Sequence, residues 1–223
     1  MNQAKMKNIC VLITGVVRPD TDRVFKNIKN TIETVGAVNC DVYILTYRSP
    51  EAEELEKQLN RSSLDVSFYL IDPITAAQGG QSGNNYRMFK SIELLISHVD
   101  NFLDYKVVLR HRIDCELLEI EIPEEIKQDT YYAPSLEWGT FDNIALCSPQ
   151  VAMKMFSTEG VNFNVINPHQ VIDNTLSRKK ISLAPFNFKK QLYQSGADIV
   201  LGTPQWSKRD RTFEYKDEWI SIE

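Results

Sequence analysis

Across 223 residues there is no CxxC pair, no HExxH, no GxGxxG and no Gly-Lys-Ser/Thr phosphate loop. The chain therefore carries none of the spacings that mark zinc ribbons, zinc hydrolases, dinucleotide-binding turns or Walker-type nucleotidases. Histidine is scarce: His98, His111 and His169 stand alone, with no defensible Ser-His-Asp order around them, and each reads as structural. The four cysteines, Cys10, Cys40, Cys115 and Cys147, are unpaired in sequence, and Cys10 and Cys147 fall in apolar runs. They read as buried, reduced thiols acting as small hydrophobes. No apolar run is long enough for a signal peptide or a membrane span, so a cytoplasmic location is expected. A net charge of −5 argues against bulk electrostatic binding to nucleic acid. An anionic ligand would need a local positive pocket. There is no internal repeat, coiled coil or disordered block.

What remains is ordinary globular composition, 43% hydrophobic and 25% charged. Ile9 to Thr14 reads as a buried strand, left through Gly15 to Arg18 and stopped by Pro19. Asp20 or Thr21 caps a helix with Val24, Ile28, Ile32 and Val35 on one face, closed by Gly36. Asp41 to Thr46 is a second strand, running out into Tyr47 and Arg48. Pro50 opens an acidic helix, and Val66 to Leu70 is a third strand. This β-α-β-α-β order predicts an α/β fold, a parallel sheet with helices on its faces. Residues 73–85 read as a loop, and Asn85 as the cap of a helix from Tyr86 to about Val99. Arg87 then falls in the first turn, where a cation opposes the helix dipole. That placement is explained by an anion bound there or by simple solvation. Further on, 117–122 alternates like an edge or antiparallel strand, and 130–133, 143–147 and 181–184 are short strand candidates. Ser148-Pro149 and Asn167-Pro168 each open a helix. The tail from Thr203 interleaves basic and aromatic residues. Two readings fit it: contact with acidic lipid or a partner, or aromatics packed back on the domain.

The stretch that organises the rest is Asp104 to Glu119, DYKVVLRHRIDCELLE. Val107-Val108-Leu109 has the look of a strand buried on both faces, and Arg110, His111, Arg112 and Asp114 follow it directly. Charge belongs where a strand leaves the sheet, because unpaired charge away from water is expensive. In an extended chain Arg110, Arg112 and Asp114 point the same way. Two readings stay open: a site for a phosphorylated ligand, or an Arg–Asp network tying the strand end to neighbouring loops. Ligands of open α/β sheets collect at the carboxyl ends of strands. There the sequence gathers Arg18, Thr46, Tyr47, Arg110, Arg112 and Asp114, with Asn85 and Arg87 from the nearby helix start. The set suits a diphosphate, with Asp114 as the candidate ligand of a divalent cation, magnesium or manganese.

ICVLITGVVRP, NCDVYILTYRS, NYRMFKSIELL, DYKVVLRHRID and FDNIALCSPQVAMKMF occur in that order. Together they resemble the bacterial WavE-type lipopolysaccharide and capsule biosynthesis family over roughly residues 8 to 180. The resemblance implies a single GT-A-like, Rossmann-like domain over 1–223 with a mixed, mostly parallel sheet. About 1–115 would be the nucleotide-binding half, about 116–200 the acceptor side, and 203–223 a C-terminal tail, with peripheral contact at the inner membrane one of the two readings of that tail. It implies a glycosyltransferase moving sugar from a nucleotide-sugar donor to a surface glycan acceptor. Arg112-Ile113-Asp114 stands where that fold carries a metal-binding Asp-x-Asp. Arginine in place of the first carboxylate leaves a weak cage for a metal and lets Arg112 grip the diphosphate itself. Asp142 stands where related proteins often place an acidic residue, and it, or Glu137, is the candidate general base. Two alternatives remain: a non-catalytic glycan- or nucleotide-binding module, and a nucleotidyltransferase.

Overall fold

The computed structural model describes residues 8–36, 39–76, 80–136, 139–140, 142–165, 167–186, 188–194 and 197–201. The readings made for Glu137 and for the tail 203–223 lie outside the described residues. Strand β1 (Ile9–Thr14) leads to helix α1 (Thr21–Val35), then β2 (Cys40–Tyr47), α2 (Pro50–Arg61), β3 (Val66–Ile71) and α3 (Gly80–Ser97). The central strand β4 (Val107–Arg112) turns into β5 (Cys115–Ile120). Then come β6 (Thr130–Tyr132), the short β7 (Ser135–Leu136) and β8 (Gly139–Thr140), and β9 (Ile144–Cys147). The described chain ends with α4 (Pro149–Phe156), α5 (Pro168–Arg178), β10 (Ser182–Ala184), β11 (Phe188–Gln194) and β12 (Ala197–Leu201).

Seven strands form the main sheet in the order β10-β6-β9-β4-β1-β2-β3. Neighbours run parallel except around β9, which is antiparallel to both β4 and β6. The result is the expected mixed, mostly parallel α/β sheet. Period-two alternation sends its side chains to two apolar layers. Val11, Ile13, Val42, Ile44 and Leu109 meet α1 and α2 on one face. Cys10, Leu12, Leu45, Val108 and Ala145 meet α3, α4 and α5 on the other. β5 and β11 pair antiparallel in a second, three-stranded sheet with β12, and Cys115, Leu117 and Phe188 join the α1/α2 layer. All four cysteines are buried, and none is in a disulfide among the described residues. Burial pushes the Cys10 and Cys147 thiols far up, so both stay protonated. No helix among the described residues is long and apolar enough to cross a membrane.

The helix caps follow the sequence. Asp20 accepts from the Arg23 amide, Ser49 from Ala52, Ser148 from Val151 and Asn167 from His169, with proline at the start of α2, α4 and α5. Two boundaries differ from expectation, and both matter for the site. Helix α3 begins at Gly80, so Asn85 lies in its second turn and caps nothing, and Arg87 is outside the first turn. The apolar stripe missed that start because the buried positions there are Gly83 and Asn85, which carry no large apolar side chain. Strand β4 does not end at Leu109. It continues through Arg112, with Arg110 level with Leu12 of β1 and Ala145 of β9.

Candidate functional site

The carboxyl end of β4 is closed by its neighbours. The Arg112 amide donates to the Asn143 carbonyl at 3.1 Å, and the Ile113 amide to the Thr14 carbonyl at 3.0 Å. Gly15, at φ +145°, lets the chain leaving β1 pass over Ile113: a Cβ there would stand 2.8 Å from Ile113 Cγ2. With the backbone so held, the turn at 113–114 brings Asp114 back beside Arg112.

Arg112 and Asp114 form a planar fork: Nε to Oδ1 at 2.9 Å and Nη2 to Oδ2 at 2.5 Å. Arg112 Nη1 donates to Asn143 Oδ1 at 2.6 Å, and Arg18 Nη2 reaches Asp114 Oδ2 at 3.4 Å. The carboxylate is buried, 4% exposed, whereas the Arg112 and Arg18 side chains keep 29% and 41% of their surface in solvent. A buried anion is thus held between two guanidinium groups that still face outward. Burial pulls Arg112 toward a lower pKa, but the Asp114 and Asp142 carboxylates outweigh it and hold the group above its ordinary range.

Arg110 projects from β4 on the same face as Arg112. It is 2% exposed, and its Nε and Nη1 have no hydrogen-bond partner among the described residues. Burial lowers its pKa, and the nearby Asp142 carboxylate opposes that. Three guanidinium groups against Asp114 and Asp142 leave one excess positive charge at this strand end.

Asp142, 11% exposed, lies near enough to Arg110 and Arg112 to favour the charged form of both. The segment before it is fastened to α5. The Thr140 amide donates to Asp173 Oδ1 at 3.0 Å, and the Thr140 hydroxyl donates to the same oxygen. His169 Nδ1 lies 2.9 Å from the Thr140 carbonyl and 3.8 Å from Asp142 Oδ1. A carbonyl only accepts, so His169 carries its proton on Nδ1 when neutral.

Five sequence-predicted residues, Arg18, Arg110, Arg112, Asp114 and Asp142, therefore share the end of β4. The others form a second group along β2 and α3. The Tyr47 hydroxyl bonds Ser91 Oγ at 3.0 Å, and Ser91 in turn donates to the Arg87 carbonyl at 2.7 Å. Arg87 Nε donates to the Ile74 carbonyl at 3.0 Å and Nη1 to Asn84 Oδ1 at 3.1 Å. Asn85 is 1% exposed and donates to the Val165 carbonyl at 2.8 Å. Thr46 follows Val42 and Ile44 onto the opposite, α1/α2 face, with its buried hydroxyl unpartnered among the described residues. Sequence reasoning missed Asn143, Asp173 and His169. Only the Asn-Pro helix start ahead of His169 hinted that a polar side chain there would be aimed at anything.

Asp114 was the candidate metal ligand. Both of its oxygens accept from guanidinium groups, and the described residues hold no group of three His, Cys, Asp or Glu side chains arranged for a metal. A cation at Asp114 would have to share these oxygens with Arg112 and Arg18 or displace them.

No protein-family model matches the chain, and no curated protein does. Among solved structures, the chain is similar to a protein of Desulfovibrio desulfuricans G20 assigned as a nucleotide-diphospho-sugar transferase. The TM-score is 0.48 at 12% identity, covering 81% of this chain and 80% of that one. It is similar also to the apo form of the glycosyltransferase GlyE of Streptococcus pneumoniae TIGR4. There the TM-score is 0.49 at 12% identity, covering 79% of this chain and 44% of that one.

Proposed function

We propose that the protein is a glycosyltransferase that moves a sugar from a nucleotide-sugar donor to a glycan acceptor, a bacterial surface polysaccharide of the lipopolysaccharide or capsule kind. The observation that carries this reading is the buried, incompletely bonded Arg110 behind the more exposed Arg112 and Arg18, at the carboxyl end of the central strand. Such a cluster is costly for the fold alone, and its guanidinium groups suit the oxygens of a diphosphate. The resemblance of the ordered sequence segments to the WavE-type family supports the same reading.

In this mechanism the donor diphosphate lies against Arg112 and Arg18, whose side chains keep 29% and 41% of their surface in solvent, and Arg110 adds charge from below. The acceptor hydroxyl oxygen attacks the anomeric carbon. The bond from that carbon to the diphosphate oxygen breaks, and the nucleoside diphosphate leaves with the electron pair. Asp142 takes the hydroxyl proton, with His169 beside it. Preorganised arginine charge on the leaving group supplies most of the acceleration. A divalent cation, magnesium or manganese, would add charge to the same leaving group. With Asp114 engaged by arginine, no step is assigned to one.

The test is calorimetry with UDP-, GDP-, CMP- and dTDP-sugars, with and without manganese, on the wild type and on Arg112→Lys. The variant keeps the charge and loses the fork. One donor should bind the wild type and be hydrolysed slowly, and Arg112→Lys should weaken it roughly tenfold or more. Binding of no donor, or equal binding to both proteins, sinks the reading. A second reading is favoured by the internal Arg112–Asp114 pair: a non-catalytic binding module. Glycan binding without donor hydrolysis would select it.

A further inference from the structure

A cavity of about 430 Å³ lies beyond the carboxyl end of β3, between the start of α3 and the segment joining α4 to α5. Its walls include Thr75, Ser82, Tyr86, Asn162, Phe163 and Asn164, and no ionisable acid or base besides the tyrosine phenol lines it among the described residues. Its volume is in the range that holds a small ligand. The chemistry of the wall is hydroxyl, amide and aromatic ring. A phosphate would need the guanidinium or ammonium groups that are missing here. A neutral ring bearing several hydroxyls fits: its C–H face rests on an aromatic side chain and its hydroxyls pair with side-chain amides.

The walls are built rather than incidental. Phe163 meets Tyr86 edge-on at 5.4 Å and Phe89 at 5.5 Å, which fixes the aromatic wall against the core. Each flanking segment is pinned to the second turn of α3 by one polar side chain. Arg87 holds the Ile74 carbonyl on one side, and Asn85 holds the Val165 carbonyl on the other. Asn85 and Arg87, candidate ligand-binding residues from the sequence, thus hold the two segments that flank this cavity. The 161–165 segment then runs on to Asn167, the cap of α5, and α5 carries His169 beside Asp142.

We infer that this cavity binds a neutral saccharide unit, the acceptor side of the reaction proposed above. The acceptor role rests on that proposal. The saccharide site does not, because it is argued from the cavity's own lining. Saturation-transfer NMR with free glucose, galactose, N-acetylglucosamine, lactose and cellobiose at millimolar concentration, in the absence of nucleotide, tests it. At least one of these sugars should receive transfer and perturb the Tyr86 and Phe163 ring signals. Asn164→Ala, an exposed loop position, should weaken that sugar roughly tenfold with the fold unchanged. Arg112→Lys should leave it bound as before. If the whole panel shows no transfer, or if Asn164→Ala binds as wild type does, the inference is overturned. Displacement of the sugar by free uridine or guanosine also overturns it, since the cavity would then be a nucleoside site. Saccharide binding in a protein that binds no nucleotide sugar supports this site while removing the transfer reaction.

Discussion

Arg112 and Asp114, two residues apart, meet as a fork across the turn that ends β4, with both carboxylate oxygens engaged and only 4% of the carboxylate side chain exposed. Breaking such a pair from one side leaves a charge in a place built for two. Asp114→Ala is therefore expected to destabilise the protein by ~3–5 kcal/mol. Arg112→Ala should cost somewhat less, because Arg18 still approaches Asp114. The double variant Arg112→Leu/Asp114→Leu should recover much of the loss, a non-additivity read from urea unfolding midpoints. Additive losses would mean the pair contributes nothing as a pair.

Arg110 separates stability from function. Its guanidinium is buried with two nitrogens unpartnered among the described residues, so the native state bears a desolvation cost that the Asp142 carboxylate offsets only in part. Arg110→Met, similar in length and apolar, should leave the unfolding midpoint unchanged or raise it by ~1–4 kcal/mol of stability. Donor binding should be lost in the same variant. A strongly destabilised Arg110→Met that still binds donor would show that the arginine is there for the fold.

The Asp114 geometry also predicts how the protein treats metals. Since its oxygens are committed to arginine, donor binding should survive chelation with EDTA, and added manganese should change affinity by less than about threefold, under 1 kcal/mol. Calorimetry in the two buffers measures this directly. A large manganese requirement would mean that Arg112 swings away from Asp114 when the donor arrives.

Glu93 on α3 ties that helix to the turn after α4. It accepts from the Thr158 amide at 3.1 Å, from the Thr158 hydroxyl at 3.0 Å and from Lys90 Nζ at 2.6 Å. Burial would raise its pKa, but Lys90 and the two Thr158 bonds outweigh it and hold the carboxyl below its ordinary value of 4.5. A lowered folded pKa means stabilisation that is present in full above about pH 4.5 and drains away as pH falls through the folded value. Glu93→Gln should flatten the acid side of the stability profile in that window. At neutral pH it should lower stability by ~1 kcal/mol, the group being partly exposed. An unchanged acid limb in the variant would assign acid sensitivity elsewhere.

Gly15 has a backbone reason to be glycine. At φ +145° an L side chain is strained, and a Cβ would press on Ile113 Cγ2 at 2.8 Å. Gly15→Ala should cost about 1–3 kcal/mol in unfolding free energy and weaken donor binding, because the displaced Ile113 carries Arg112 and Asp114 on either side. Thermal unfolding and calorimetry on the same sample give both numbers. A neutral Gly15→Ala would mean the β1 exit relaxes without disturbing β4.

The sheet was legible because its cues are local. Apolar β-branched runs, Ser-Pro and Asn-Pro helix starts and the glycine closing α1 each act within a few residues, and they placed most elements to within a residue or two. The cluster of Arg18, Arg110, Arg112 and Asp114 was also within reach, since parallel α/β topology sends strand ends to one edge, whereas Asp142, ahead of the antiparallel β9, came only from the family resemblance. Tertiary structure alone decided what those residues do to one another. Whether Asp114 faces a metal or an arginine depends on a turn that folds it back beside Arg112. Whether Arg110 is at the end of its strand or inside the sheet depends on β9 pairing beyond it. Asn85 and Arg87 reach the Val165 and Ile74 carbonyls from the second turn of α3, because that helix starts a turn and a half earlier than its apolar stripe. No periodicity in side chains reports a helical turn whose buried positions are glycine and asparagine.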